Sequence, residues 1–146
     1  MGERVKRLKK QSDVSSKSPP DLVVFLDRSL GKRVIANALK DAGVHVELHD
    51  DHFAPDAKDE EWLARAGREG WIVFTKDDRI RYRTTERTAL KKHKVRAVIL
   101  TAAQLDGHEM AQIFIKALPG IRRLVKNMPA GFIVRLSRSG RPNLWE

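Results

Sequence analysis

The chain has 146 residues, 41% of them hydrophobic, which suits one domain with a sizeable buried core. Its 29 Lys and Arg outnumber 19 Asp and Glu, and the resulting net charge of +10 favours a polyanionic partner. The absence of cysteine excludes disulfides, thiol catalysis and thiolate metal sites, so any metal must be held by oxygen or imidazole. No run approaches the roughly 18 apolar residues of a membrane span, and the charged N-terminus lacks the apolar segment of a signal peptide. A cytoplasmic protein with no membrane partner is expected.

Residues 1–20 carry six basic residues against two acidic, several serines and the pair Pro19 and Pro20, without a sustained apolar period. They are expected to form a disordered basic tail ahead of a single domain over 21–136. Leu22 to Leu26 is an apolar run that reads as a buried strand with Asp27 at its carboxyl end. Leu30, Val34, Ile35, Ala38, Leu39 and Ala42 follow at helical spacing, with Ser29 as the expected N-cap and Gly43 as the stop. Val44 to Leu48 alternates apolar and polar residues, as a strand near a sheet edge does. His49 to His52 reads as an exposed loop, outside any site.

After Pro55 a second helix is expected from Asp56–Asp59 to Gly70. Its first turn holds Asp59, Glu60 and Glu61, which the helix dipole stabilises by about 0.3–1 kcal/mol each. Asp59 precedes Trp62 and Leu63 by three and four residues and so lies on the core side, free to point into a cleft. Trp71 to Phe74 reads as a third strand buried on both faces, leading through Thr75 and Lys76 to Asp77 and Asp78. Arg79, Arg81, Tyr82 and Arg83 follow, then a helix near 86–92 and a fourth strand over 95–100. Leu105 to Leu118 marks a further helix ending at Pro119 and Gly120, and Ile121 to Val125 continues helically to Pro129. Gly131 to Val134 is the last expected strand, before a polar C-terminal tail over 137–146. Alternation of this kind implies an α/β fold with a mostly parallel sheet covered on both faces.

The charges are segregated. Residues 79–96 hold eight Lys or Arg and one acid, whereas residues 41–61 hold eight acids and one Lys. In an open parallel sheet the ligand crevice lies beyond the carboxyl ends of the strands, so Asp27, Asp77 and Asp78 stand where chemistry is usually done, with Asp59 beside them. Clustered carboxylates repel one another unless protons or a cation intervene. A hard oxygen donor set suits magnesium or manganese, and a metal so placed orients water and stabilises a phosphoryl transition state. The basic strip Lys76, Arg79, Arg81, Tyr82 and Arg83 would hold a phosphate backbone across the site. No phosphate-binding glycine loop and no nucleophile elbow is present.

Phe25 to Leu30, Asp59 to Leu63 and Gly70 to Asp78, in this order and spacing, resemble the compact PIN-like domains, particularly the VapC-type toxins of bacterial toxin–antitoxin pairs. The resemblance covers roughly residues 21–136. It implies a Rossmann-like three-layer sandwich, with parallel strands in the order 3-2-1-4-5, that cleaves RNA using acid-bound magnesium or manganese. By position, Asp27 matches the acid after the first strand, Asp59 that of the central helix, and Asp77 that of the Thr-x-Asp segment. Related compact families place a fourth acid where this chain has Arg79, and Asp78 is the substitute. The resemblance further implies a cognate antitoxin partner and homo-oligomers. The alternative function is a non-catalytic module that binds nucleic acid or an antitoxin, and a phosphoacceptor receiver domain stands third.

Overall fold

The computed structural model describes residues 22–77 and 82–145, so the expected N-terminal tail lies outside the described residues. The strands are β1 (Val23–Leu26), β2 (His45–Leu48), β3 (Ile72–Thr75), β4 (Arg96–Leu100), β5 (Phe132–Leu136) and β6 (Pro142–Leu144). The helices are α1 (Val34–Asp41), α2 (His49–His52), α3 (Asp59–Glu69), α4 (Thr84–Lys92) and α5 (Gly107–Asn127), with a 3-10 turn at Arg28–Leu30. The sheet order is β2-β1-β3-β4-β5-β6, with β1 to β5 parallel and β6 antiparallel to β5.

Alternation along each strand divides the core in two, because successive side chains leave opposite faces of a sheet. Val24, Leu26, Ile72, Phe74, Val98 and Leu100 face α1 and α5, where Phe74 stacks on Phe114 at 4.6 Å. Phe25, Val73, Ala97, Ile99 and Ile133 face α3 and α4, where Trp62 and Trp71 stack on Phe25 at 5.6 and 5.5 Å. Each fully buried Leu, Ile or Phe contributes roughly 1.5–3 kcal/mol. The result is the α/β three-layer sandwich with a mostly parallel sheet. No helix among the described residues is long and apolar enough to cross a membrane.

Five local expectations are corrected. Ser29 does not cap the first helix: Asp27 caps the 3-10 turn, Gly31 at φ 76° breaks the chain direction, and α1 starts at Val34. His49 to His52 is a helical turn, and His49 is buried against Phe25, Phe53 and Trp62. α5 runs through Pro119 as one helix of 21 residues. An internal proline costs about 3 kcal/mol; here the buried stripe Met110, Ile113, Phe114, Ala117, Leu118 and Ile121 continues across it and outweighs that cost. Residues 142–144, expected within a polar tail, pair with β5.

The fifth concerns strand order. The five parallel strands stand in the order 2-1-3-4-5 rather than the expected 3-2-1-4-5, since only ten residues, 49–58, separate β2 from α3. That is too few for another strand and its crossover, which takes a dozen or more residues. β2 is therefore the sheet edge, and α3 returns directly across the sheet to β3.

Candidate active site

β1 and β3 are neighbours, so Leu26 pairs with Phe74 and the residues beyond them emerge together. Asp27 N–H donates to the Phe74 carbonyl at 3.0 Å, which carries the pairing one residue past the strand. Thr75, fully buried, ends β3: its Oγ1 donates to Asp27 Oδ2 at 2.9 Å and accepts from Asp77 N–H at 3.0 Å. That second bond closes a hydroxyl turn, which sends the chain away from the sheet. Ser29 Oγ donates to the same Asp27 oxygen at 2.7 Å. Asp27 is thus held by two hydroxyls through Oδ2, and Oδ1 has no hydrogen-bond partner among the described residues.

α3 supplies the third acid. Lys58 is extended and Asp59 is the first helical residue, where its carboxylate meets the positive end of the helix. Trp62 Nε1 donates to Asp59 Oδ1 at 3.1 Å, so the ring that fills the core also sets the carboxylate. Asp27, Asp59 and Asp77, from three separate segments, line one cavity of about 240 Å³ together with Ser29, His49 and Trp62. Burial holds the Asp59 carboxyl above the usual aspartate value, and the like charges of Glu86 and Asp27 add to that.

Glu86 is the residue that sequence reasoning missed. It is buried on α4 and shares with Asp59 a second cavity of about 400 Å³ on the other side of that acid. Burial opposes its charge, yet the donated Thr85 hydroxyl at 2.9 Å, the Arg83 guanidinium at 3.7 Å and Asp59 bring it below the usual glutamate value. Of this facing pair, Asp59 is therefore the member more prone to protonation. Its sequence signal, an acid in a first helical turn, is the same as that of many solvated residues.

Asp78, Arg79 and Arg81, three of the expected metal or RNA ligands, lie outside the described residues. The others separate. Lys76 lines a neighbouring cavity of about 460 Å³ with Thr101, Gln104 and Met110 at the end of β4. Arg83 leans on Glu86, and Tyr82 lines a further cavity on the outer face of α4. His49, expected to be outside the site, lines the acid cavity.

The acids fit a divalent cation by donor type. Hard oxygens suit magnesium or manganese, and a cation would relieve the like-charge repulsion that adds to burial in raising Asp59. Among the described residues no three acid or histidine side chains converge closely enough to hold an ion.

Acids at the carboxyl ends of parallel strands in a three-layer sandwich fit a PIN-like domain. The model of the PIN-like domain family matches residues 22–102. Over 114 residues the chain is 31% identical to a Mycobacterium tuberculosis protein named "Putative ribonuclease VapC45", which spans 75% of this chain and 82% of that one. No solved structure matches. The chain belongs to the PIN-like domain family.

Proposed function

We propose that the protein is a metal-dependent endoribonuclease, the toxin of a type II toxin–antitoxin pair acting on cytoplasmic RNA. The observation that carries this reading is the meeting of Asp27, Asp59 and Asp77 on one cavity. The chain's similarity to a protein named as a putative ribonuclease, over most of its length, supports it. Asp27, Asp59 and Asp77, joined by Asp78, would hold magnesium or manganese. When bound, the cation supplies the charge that stabilises a phosphorane-like transition state and the leaving oxygen.

The chain's own residues do the rest. Ser29 and Thr75 fix Asp27, and Trp62 fixes Asp59, so the carboxylates are oriented before substrate arrives. A carboxylate facing the scissile phosphate accepts a proton from the attacking water. Lys76, Arg79, Arg81, Tyr82 and Arg83 would track the RNA backbone. A cognate antitoxin would cover the acid cavity, and homo-oligomers belong to the same reading.

The test is cleavage of labelled RNA by the purified protein with magnesium, manganese or a chelator, with Asp27→Asn and Asp77→Asn in parallel. Cleavage should need metal and disappear in both variants while their thermal transitions persist. Retained activity in both would sink the proposal. The non-catalytic reading is favoured by the incomplete convergence of the acids among the described residues, and salt-dependent RNA binding without turnover would establish it.

A further inference from the structure

The outer face of α4 carries a second set of chemistry. Thr84, Arg87, Thr88 and Lys91 recur at helical spacing, with Lys92 at their edge, while Glu86, Ala89 and Leu90 turn to the core. With Tyr82 they line a cavity of about 690 Å³, larger than the acid cavity and, among the described residues, lined by no carboxylate. Lys91 and Lys92 are exposed and form no salt bridge among the described residues.

Tyr82 is 65% exposed, a large ring left in water beside these cations. It is buttressed from the far end of the chain. Trp145 meets it edge to face at 6.3 Å, and Trp145 N–H donates to the Ile133 carbonyl at 2.7 Å. The Arg135 guanidinium covers the Trp145 ring at 5.6 Å. An exposed aromatic supported on one edge and flanked by cations and hydroxyls is a stacking platform with phosphate ligands.

We propose that this face docks single-stranded RNA: one base stacks on Tyr82, and the adjoining phosphates lie on Arg87, Lys91 and Lys92. The inference rests on the ribonuclease reading and extends it to a substrate site outside the acid cavity. An acidic partner helix is a poorer fit, because such a helix anchors through apolar residues and this stripe offers none beyond Tyr82. Duplex RNA is a poorer fit too, since a base must be unstacked to lie on the ring. The first turn of α4 links the two sites, with Thr84 lining one cavity and Thr85 and Glu86 lining the one shared with Asp59. A strand held on α4 thereby leads toward the acids.

The experiment is fluorescence anisotropy with the full chain in a chelator, using a fluorescein-labelled oligouridylate about 12 nucleotides long. Tyr82→Ala should weaken binding by about tenfold or more, and Tyr82→Phe should retain it. Lys91→Gln with Lys92→Gln should flatten the salt dependence by about 1.4 in logarithmic slope. An annealed duplex of the same length should bind less tightly than the single strand. Unchanged affinity in Tyr82→Ala and in the lysine pair, in a protein that binds the oligomer and cleaves RNA, overturns the inference alone. Failure of the wild-type chain to bind or cleave any RNA overturns both readings. Poly-glutamate displacing the probe as well as unlabelled oligouridylate reassigns the face to an acidic protein partner.

Discussion

Thr75 Oγ1 donates to Asp27 Oδ2 at 2.9 Å across 48 residues of sequence, tying the ends of β1 and β3 into one unit. The same oxygen receives Asp77 N–H, so a single buried hydroxyl places two of the three acids. Thr75→Val keeps the shape and removes both bonds. Stability should fall by about 1–3 kcal/mol, the cost of leaving a buried group unpaired. Cleavage should fall by at least about tenfold, since misplaced catalytic groups lose most of their advantage. Thr75→Ser should recover much of both, and a Thr75→Val protein as active as wild type would refute the positioning role.

The Glu86 charge adds to burial in raising the Asp59 carboxyl. Burial is the larger cause of the raised Asp59 value, so removing the Glu86 charge should return only part of the shift. In Glu86→Gln the Asp59 carboxyl should titrate closer to an ordinary aspartate, read by carboxyl carbon shifts against pH. An unmoved Asp59 titration would show that the two groups do not interact.

Gly67 is where α3 meets the end of α4. A Cβ there would lie 2.1 Å from the His93 carbonyl oxygen, a backbone atom that cannot swing aside. Glycine to alanine within a helix ordinarily gains up to about 1 kcal/mol. Gly67→Ala should instead destabilise by about 1–3 kcal/mol, in the manner of an overpacked core. Because α3 carries Asp59 and α4 carries Glu86, cleavage should drop with it. A raised melting temperature would contradict this packing.

Glu47 accepts from His52 Nε2 at 2.6 Å and from His45 Nε2 at 2.5 Å, one histidine on each carboxylate oxygen. The His52 bond is the largest cause holding its carboxyl below the usual 4.5, and His45 adds to it against the opposing effect of burial. A lowered folded value means stability that is complete above about 4.5 and lost as pH falls through the folded value. Glu47→Gln should therefore melt below wild type at neutral pH, and the gap should close on acidification below 4.5. A gap independent of pH would exclude ionic pairing as its source.

The three acids of the cavity were legible because their signals are local. Asp27 directly follows an apolar run, Asp77 comes three residues after Phe74 ends another, and Asp59 precedes Trp62 at a spacing that turns it toward the core. Glu86 and His49 had no such signal: each looks like a polar residue in a surface turn, and only α4 packing on α3 and α2 closing over Phe25 bury them. Pro119 misled for the opposite reason, since its strong local preference yields to a buried stripe that passes through it.

The sequence by itself determined the two-sided burial of the strands, their alternation with helices and hence a parallel sheet with acids at its carboxyl edge. Those are consequences of side-chain period and of the short reach between successive elements. The tertiary structure decided what cannot be read along a chain: which strand lies beside β1, which acid faces Asp59, and that Trp145 returns to support Tyr82. Each depends on residues distant in sequence, brought together because only the folded arrangement covers both faces of the sheet at once.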